Sequence, residues 1–344
     1  MKSKKILFIS YYLNPSNLVG AKRISYWTSN IENASNGNYQ PSVLTSTLNE
    51  NKLNEDFIKR IKSPFNNPFL WTFKIIPILL RSLQNQSIII ISGSPFALFW
   101  LVVLLSFLKK KVILDFRDPY SNNPIHKISP VKKIIKKCYE YLVCFMAYKV
   151  ITVNEECSKL INCNHKKMII IENGFNEKIL NKIDKRVVIE KTISYSGKLS
   201  QGRDLNSFIE KMILSPLLKD FKIVYTGPDF SKIKYKNKVI SYGQVSYEKN
   251  LEIISSCEFT LLLFAGHSFE SSTKIFDYIG LKKPIIVYSS NGLRHGAIAE
   301  IMKKYSNSFY FESNNFNVND LFIDNYEFSR LYGLKKLINI LNKI

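Results

Sequence analysis

Short apolar runs rich in β-branched residues recur along the first half of the chain, and helical patterns lie between several of them. Runs of this kind are typical of parallel strands that are buried on both faces. Because a strand, a helix and a second strand in succession form a parallel crossover unit, the pattern predicts an α/β fold. The predicted strands of this first set are residues 5–10, 42–45, 87–92, 112–116, 150–153 and 168–171.

A second set of strands and helices follows the dipeptide Asn173-Gly174. Its predicted strands are residues 192–195, 222–225, 239–242, 259–264 and 285–288, with helices at 205–212, 247–255 and 274–280. No sequence repeat relates the two sets. The chain is therefore divided into domains over residues 1–175 and 176–325 and a closing basic helix over 326–344. Parallel sheets bind ligands at the carboxyl ends of their strands, so we expect the site in a cleft between the domains.

The longest apolar run, residues 96–108, bears on whether the chain crosses a membrane. It has 13 residues, and Lys109, Lys110 and Lys111 follow it. A membrane-spanning helix needs about 18 or more apolar residues. We predict a buried helix that leads into a buried strand, with a re-entrant or interfacial segment as the alternative.

Composition and charge narrow the class of protein. Apolar residues make up 46% of the 344 residues, which excludes disorder as the main state. There are 49 Lys and Arg against 27 Asp and Glu, a net charge of +22. A charge of this sign suits nucleic acid, an anionic membrane surface or a phosphorylated small molecule. The charge alone leaves these three partners open.

Cysteine and histidine favour neither disulfides nor metal. The five cysteines form no C-x-x-C motif, and the four histidines have no metal-ligand spacing. The apolar run near the first residue is too short for a signal peptide. We therefore predict a cytoplasmic protein with no tightly bound metal.

Nine segments in the same order as in known enzymes carry a family resemblance. The chain resembles the family 4 glycosyltransferases of the GT-B fold, and most closely their bacterial surface-polysaccharide branch. The resemblance covers nearly the whole chain and implies two Rossmann-like domains facing across a cleft, with the last helix packing back toward the first domain. The segments are KILFISYYLNPSNLVGAKR, IIIISGSPFAL, VILDFRDPY, VITVNEECSKLI, IIIENGFN, ISYSGKLSQGRDL, FKIVYTGPD, VISYGQVSYEKNLEIISSCEFTLLLF and STKIFDYIGLKKPIIVYSS.

Gly197, Lys198 and Arg203 lie in the loop after the first strand of the second domain. Two cations around a glycine turn can hold a diphosphate, Lys as a point charge and Arg as a planar fork. The family carries a basic pair here that stabilises the leaving nucleoside diphosphate, so Lys198 and Arg203 are predicted catalytic residues. Their order is the reverse of the commoner Arg then Lys, and two solvated loop charges are the alternative.

Acidic residues and a helix start complete the predicted donor site. The resemblance implies that Asp277 accepts hydrogen bonds from the ribose hydroxyls, although the family usually has the longer Glu; a first-turn acid on the helix dipole is the alternative. Glu270 lies seven residues earlier, one fewer than in the family, and could equally be a surface acid. Ser272, Thr273 and Lys274 lie just before and at the helix start, where they could contact phosphate. The alternative for Lys274 is an ordinary helix lysine that extends its ammonium to solvent.

The first domain contributes candidates on the acceptor side. Arg117 and Asp118 follow a buried strand, where α/β enzymes place catalytic groups. Asp118 is predicted to orient or deprotonate the acceptor hydroxyl, and Arg117 to bind a phosphate; a structural Arg–Asp pair is the alternative. Gly20, in the first loop before Lys22 and Arg23, would let the backbone approach a ligand, or is an ordinary turn glycine.

The resemblance implies transfer of a sugar from a nucleoside diphosphate sugar to a hydroxyl acceptor, with retention at the anomeric carbon. The nucleotide sugar is a substrate, and no cofactor is expected. The alternatives are a nucleotide-sugar epimerase of the same fold and a non-catalytic transferase-like subunit. The sequence leaves the sugar, the base, the acceptor and the oligomeric state open.

Two basic apolar segments suggest a membrane surface as partner of the first domain. Lysines at 132, 133, 136 and 137 flank Ile134, Ile135, Tyr139 and Leu142, and residues 67–83 are apolar with Lys74 and Arg81. Both are typical of interfacial segments. We expect a peripheral protein on the inner face of a bacterial membrane with a lipid-linked saccharide acceptor. Nucleic acid is not expected, because no RNA- or DNA-binding motif is present.

Overall fold

The computed structural model describes residues 3–14, 19–47, 57–183, 187–200, 202–312 and 325–344. Two compact units divide these residues. Unit 1 comprises residues 1–172 and 333–344, and unit 2 comprises residues 173–332. Residues 15–18 of the first loop and residues 184–186, shortly after the predicted domain boundary at 175/176, lie outside the described residues.

Unit 1 is a seven-stranded parallel sheet with helices on its faces. The strand order is β3-β2-β1-β4-β5-β6-β7. The strands are β1 Lys4–Ser10, β2 Tyr39–Thr47, β3 Ile58–Lys62, β4 Gln86–Ser92, β5 Lys111–Asp115, β6 Lys149–Thr152 and β7 Met168–Ile170. The helices are α1 Val19–Ala34, α2 Pro68–Ser82, α3 Leu101–Phe107, α4 Pro130–Met146 and α5 Glu155–Leu160.

The long apolar run folds as a helix rather than as an extended membrane segment. A 3₁₀ turn over Phe96–Trp100 leads into α3, and β5 follows. Leu98, Leu101 and Leu105 are fully buried because they face the sheet. No helix in the described part of the chain is both long and apolar enough to span a bilayer. The prediction of a helix that feeds a buried strand is confirmed.

Unit 2 is a six-stranded parallel sheet in the order β10-β9-β8-β11-β12-β13. The strands are β8 Ile189–Ser196, β9 Lys222–Thr226, β10 Val239–Gly243, β11 Cys257–Phe264, β12 Ile285–Ser289 and β13 Ser308–Tyr310. The helices are α6 Glu177–Leu180, α7 Leu205–Leu214, α8 Tyr247–Ser255, α9 Thr273–Gly280 and α10 Ala297–Lys304. The final helix, α11 Arg330–Asn342, has its residues from Gly333 onward in unit 1.

The strand order of each sheet reverses at one point. In unit 2 the chain proceeds outward from β8 through β9 to β10, then returns to the other side of β8 for β11. Loops on either side of such a switch point diverge and leave a crevice at the carboxyl ends of the strands. The crevice of unit 2 therefore lies between the loop after β8 and the loop after β11.

Both sheets are built from the predicted apolar runs, and the α/β fold with two Rossmann-like parallel sheets is confirmed. The elements that the pattern missed are mostly short and peripheral, among them β3, β13 and α10. β3 reads IKRIK, and its three cations hide the apolar alternation. Charged edge strands are common because charge protects an unpaired sheet edge from association.

Candidate functional site

The loop after β8 passes close to the start of α9. Gly197 has φ +115°, a conformation that favours glycine, and its amide donates to the Thr226 carbonyl at 2.8 Å. A Cβ atom at Gly197 would lie 2.6 Å from Nζ of Lys274. The glycine therefore lets the backbone approach the Lys274 ammonium from one side.

Lys274 is a desolvated cation at the crevice. Its Nζ lies 5.0 Å from the ring centre of Tyr195, a fully buried residue of β8. Among the described residues, no hydrogen-bond acceptor or ion-pair partner contacts this ammonium. Burial and, more weakly, the charge of Arg203 lower the pKa of Lys274 to about 8, against the carboxylate of Glu270. Lys274 is thus a cation held in place by an aromatic ring, and no carboxylate of the described residues contacts it.

Arg203 and Glu270 come together beside Lys274. Nη2 of Arg203 lies 2.6 Å from Oε1 of Glu270, and the Ala265 amide donates to Oε2 of Glu270 at 2.9 Å. Glu270 is only 9% exposed, whereas Arg203 is 35% exposed. Glu270 is therefore anchored in the loop before α9 and is not a surface acid, and it orients the guanidinium of Arg203.

The amino end of α9 lies next to these charges. Ser272 is the N-cap residue in an extended conformation, and within the described chain its hydroxyl makes no capping hydrogen bond. The amide groups of the first turn of a helix lack intrahelical partners and attract anions. Thr273 and Lys274 are the first two residues of this helix. Two cations and a helix start thus surround the crevice edge of unit 2.

Lys198 and Asp277 have different surroundings from these residues. Lys198 is exposed, and its charge makes a minor contribution to lowering the pKa of Asp229, after hydrogen bonds from Lys232 and the Leu199 amide. Oδ1 of Asp277 accepts a hydrogen bond of 2.7 Å from Tyr247 at the start of α8. Asp277 therefore sits in the second turn of α9, oriented by a tyrosine.

In unit 1, Arg117 and Gly20 meet at the carboxyl edge of the sheet. Arg117 donates through Nε to the Gly93 carbonyl and through Nη2 to the Ser94 carbonyl at 3.2 Å. A Cβ atom on Gly20 would overlap the Arg117 guanidinium. Gly20 thus makes room for an arginine that ties the ends of β4 and β5 together.

Asp118 follows Arg117 and is exposed to solvent. Partial desolvation raises the pKa of its carboxyl group, and the charges of Arg117 and His126 oppose that change. Asp115, the last residue of β5, is fully buried, with Oδ1 at 3.3 Å from Nη2 of Arg23. Arg23 is therefore part of the interior of unit 1, and Asp118 is the accessible carboxylate of this edge.

Two contributors to the site were missed by sequence reasoning. Tyr195 and Tyr247 touch predicted residues through an aromatic face and a hydroxyl. In the sequence, Tyr195 occupies an inward-facing position of β8, as an ordinary core residue does. Tyr247 is an ordinary residue in the first turn of α8. No local pattern distinguishes either from a packing residue, since their partners lie on distant elements. The described residues contain no cluster of three or more His, Cys, Asp or Glu that could hold a metal.

Solved structures resemble the whole chain. A structure of HepE from Anabaena in complex with UDP and glucose is 12% identical, covers 99% of this chain and 100% of that chain, and has a TM-score of 0.63. The lipopolysaccharide outer core galactosyltransferase WaaB is 15% identical, with the same coverage and a TM-score of 0.61. The UDP-GlcNAc 2-epimerase from Methanocaldococcus jannaschii is 14% identical, covers 99% of this chain and 100% of that chain, and has a TM-score of 0.60.

No protein-family model matches the chain, and no curated protein sequence does. At identities of 12–15%, the solved structures show the fold alone. They include glycosyltransferases and epimerases, so the fold itself is compatible with either activity. The choice between them depends on the residues at the site.

Proposed function

We propose that unit 2 binds a nucleoside diphosphate sugar at its carboxyl edge and that the protein transfers the sugar to a hydroxyl acceptor. The observation that carries this proposal is the Lys274 ammonium, which is desolvated, packed on Tyr195 and in contact with no anion among the described residues. A desolvated cation that no anion contacts costs free energy, which a bound phosphate would recover. A diphosphate is the ligand that best completes this group of charges.

The same charges suit a departing diphosphate. Negative charge grows on the leaving phosphate as the bond to the sugar breaks, and fixed cations at that position lower the barrier. Arg203 uses one nitrogen, Nη2, for Glu270, and an arginine has five N–H donors. Arg203 can therefore hold Glu270 and a phosphate together. The exposed Lys198 adds a mobile cation at the rim, and Ser272 and Thr273 add hydroxyls at the helix start.

Two carboxylates have the remaining proposed roles. Asp277, oriented by the Tyr247 hydroxyl, would accept hydrogen bonds from the ribose diol. Asp118 would orient the acceptor hydroxyl and take its proton, since an accessible carboxyl with a raised pKa is suited to act as a base. Arg117 would act as a positioning residue for Asp118, because its guanidinium is already engaged with backbone carbonyls.

Four further parts of the proposal rest on the family resemblance of the nine sequence segments. They are a retaining reaction, a lipid-linked saccharide acceptor, a role in cell-surface polysaccharide synthesis and a place on the inner face of a bacterial membrane. Net charge of +22 is consistent with an anionic surface as partner. The anomeric configuration of the product, read by NMR, tests retention directly.

The decisive experiment is a thermal-shift screen of the full chain against nucleoside diphosphates, nucleotide sugars and nucleoside monophosphates. The proposal expects the diphosphates to raise the melting temperature more than the monophosphates, because the second phosphate reaches Lys274 and Arg203. Equal shifts for monophosphates and diphosphates would contradict the diphosphate site. No shift with any nucleotide would favour a non-catalytic transferase-like subunit.

Epimerisation of a nucleotide sugar is the second candidate, because a UDP-GlcNAc 2-epimerase shares the fold across the whole chain. Incubation of the preferred nucleotide sugar without acceptor separates the two. A transferase would leave the donor intact or hydrolyse it slowly, whereas an epimerase would produce a second sugar still attached to the nucleotide.

A further inference from the structure

Helix α4 of unit 1 packs against the protein through Glu140, Val143 and Cys144, and most of its other residues are exposed to solvent. Glu140 is fully buried, and its carboxylate accepts hydrogen bonds from the Ser121 amide at 3.0 Å, the Ser121 hydroxyl at 2.8 Å and the Asn162 amide at 2.7 Å. The helix is thus anchored through a buried acid. The apolar side chains on the opposite side of the helix from Glu140 point away from unit 1.

The outward face of α4 is a continuous apolar stripe. Its members recur every three or four residues and so lie on one side of the helix. Exposure is 67% for Val131, 62% for Ile134 and for Ile135, 56% for Tyr141, 47% for Leu142 and 63% for Phe145, with exposed Cys138 between them. Scattered single apolar residues on a surface are ordinary, but a row of this length is a binding surface.

Four lysines accompany this stripe in the first two turns of α4. Lys132 and Lys137 lie nearest its two edges, whereas Lys133 and Lys136 project from the opposite side of the helix, since each residue turns the helix by about 100°. Lys136 packs its Nζ at 4.6 Å from the ring centre of Tyr120. The sole acid in the helix sequence is the buried Glu140. The exposed surface of α4 therefore combines apolar side chains with uncompensated positive charge.

Helix α2 extends the surface on the same face of the sheet. The connections from β3 to β4, β4 to β5 and β5 to β6 run in one direction, so right-handed crossovers place α2, α3 and α4 in one layer. Phe73 of α2 stacks on Trp100 at 5.0 Å, and the Tyr139 hydroxyl of α4 donates to the Phe96 carbonyl at 2.8 Å. Phe69 and Phe73 of α2 are also about half exposed.

We propose that this face of unit 1, the α4 stripe with its lysines and the exposed aromatic residues of α2, binds an anionic lipid membrane in the plane of the interface. Apolar side chains would enter the acyl boundary while the lysines contact lipid phosphates. A second copy of the chain fits less well, because α4 carries four lysines and its only acid, Glu140, is buried, so a second α4 would add like charge and no exposed carboxylate. The proposal rests on the membrane location given in the proposed function and names the surface that binds, whereas sugar transfer is tested separately by the nucleotide thermal shift.

The test is co-sedimentation of the full chain with vesicles of phosphatidylcholine alone or mixed with phosphatidylglycerol. We expect partitioning at least about tenfold stronger onto the anionic vesicles, and weaker at high salt. The double variant Ile134→Glu/Ile135→Glu should lower that partitioning by at least about tenfold, because each change places a charge in the apolar stripe. Circular dichroism and the nucleotide thermal shift should be unchanged.

Leu214→Glu is the matched control. Leu214 is 83% exposed, lies at the end of α7 in unit 2 and is outside the proposed face. This variant should bind vesicles as the wild type does. Equal loss of binding in Leu214→Glu, or no binding of the wild type to anionic vesicles, would overturn the proposal.

Cys138 allows insertion to be observed directly. It is exposed in the stripe, whereas Cys144, Cys157 and Cys257 are buried, so a polarity-sensitive thiol dye in a Cys163→Ser background would report on this position. Blue-shifted emission with anionic vesicles supports insertion, and unchanged emission contradicts it. A concentration-dependent dimer that the double variant abolishes would instead assign the stripe to a second copy.

Discussion

The carboxyl edges of the two parallel sheets use their cations differently. In unit 1, Arg117 is engaged with the Gly93 and Ser94 carbonyls, and Arg23 is buried against Asp115. In unit 2, Arg203 keeps most of its donors available, and Lys274 has no acceptor among the described residues. Both edges derive from the same strand–loop–helix pattern. The difference teaches that a cation marks a ligand site only where the fold leaves its donors unused.

The largest expected effect comes from removing the unpaired cation of unit 2. Lys274→Met should retain the aliphatic packing on Tyr195 but lose the charge that faces the diphosphate. We expect the sugar-transfer rate to fall roughly 100-fold, the usual scale for losing one group that stabilises a developing anion. Product formation under saturating acceptor measures this effect, and calorimetry measures the accompanying loss of nucleotide affinity.

Lys222→Met is the control for this change. Lys222 is exposed at the first residue of β9, at the amino end of the strand and thus at the opposite edge of the sheet. Its loss removes the same charge without approaching the crevice, and should leave the rate within about twofold. If both variants lost activity equally, net charge rather than the Lys274 position would explain the result.

The second prediction separates stability from binding by comparing two arginines. Arg117→Ala should lower the free energy of unfolding by about 1–3 kcal/mol, because the Gly93 carbonyl keeps only the Ser92 hydroxyl as donor and the Ser94 carbonyl loses the guanidinium. Arg203→Ala should cost about 1 kcal/mol or less, since its ion pair with Glu270 is partly exposed, yet it should weaken diphosphate binding. Urea unfolding measures both variants; a reversed order would refute this distinction between the edges.

The smallest predicted effect is a pH dependence confined to unit 2. A diphosphate requires the charged form of Lys274, whose pKa in the free protein is about 8. Nucleotide affinity should therefore fall as pH rises above about 8, approaching tenfold per pH unit for a single linked proton. Titration calorimetry of wild type and Lys274→Met at several pH values measures this change. If the nucleotide affinity of the variant fell with pH as that of the wild type does, another group would be responsible.

The same lowered pKa has the opposite sign for stability without ligand. Between about pH 8 and the ordinary lysine value, the unfolded chain binds more protons at this position than the folded chain does. The penalty for the desolvated charge is relieved over that window, so the Lys274 contribution to stability rises with pH. The difference in unfolding free energy between wild type and Lys274→Met should shift accordingly.

Most of the fold could be predicted from the chain itself because parallel strands buried on both faces leave unmistakable apolar runs. The runs at β4, β8, β11 and β12 were all placed within three residues. The short β3 was missed, since its cations disguise it, and β13 has only three residues. Element type thus followed from local pattern, while peripheral strands depended on neighbours that the pattern does not show.

The candidate site was only partly accessible to sequence reasoning. Glycine and basic residues after β8 pointed to the crevice, and Gly197, Arg203 and Lys274 are brought together there. The anchoring of Glu270 was not evident, because its spacing in the chain argued against it and its partner lies 67 residues away. Side-chain pairing across such a distance is set by the packing of loops against the sheet.

The sequence by itself determined the α/β class, the two sets of strands and the residues that can carry positive charge, because these follow from local periodicity and composition. Only the tertiary structure decided that Arg117 is engaged with carbonyls, that Lys274 lacks an acceptor among the described residues and that α4 faces solvent with its apolar side. A helical period defines two faces but does not say which is buried. That choice depends on long-range contacts, here the buried Glu140 with Ser121 and Asn162.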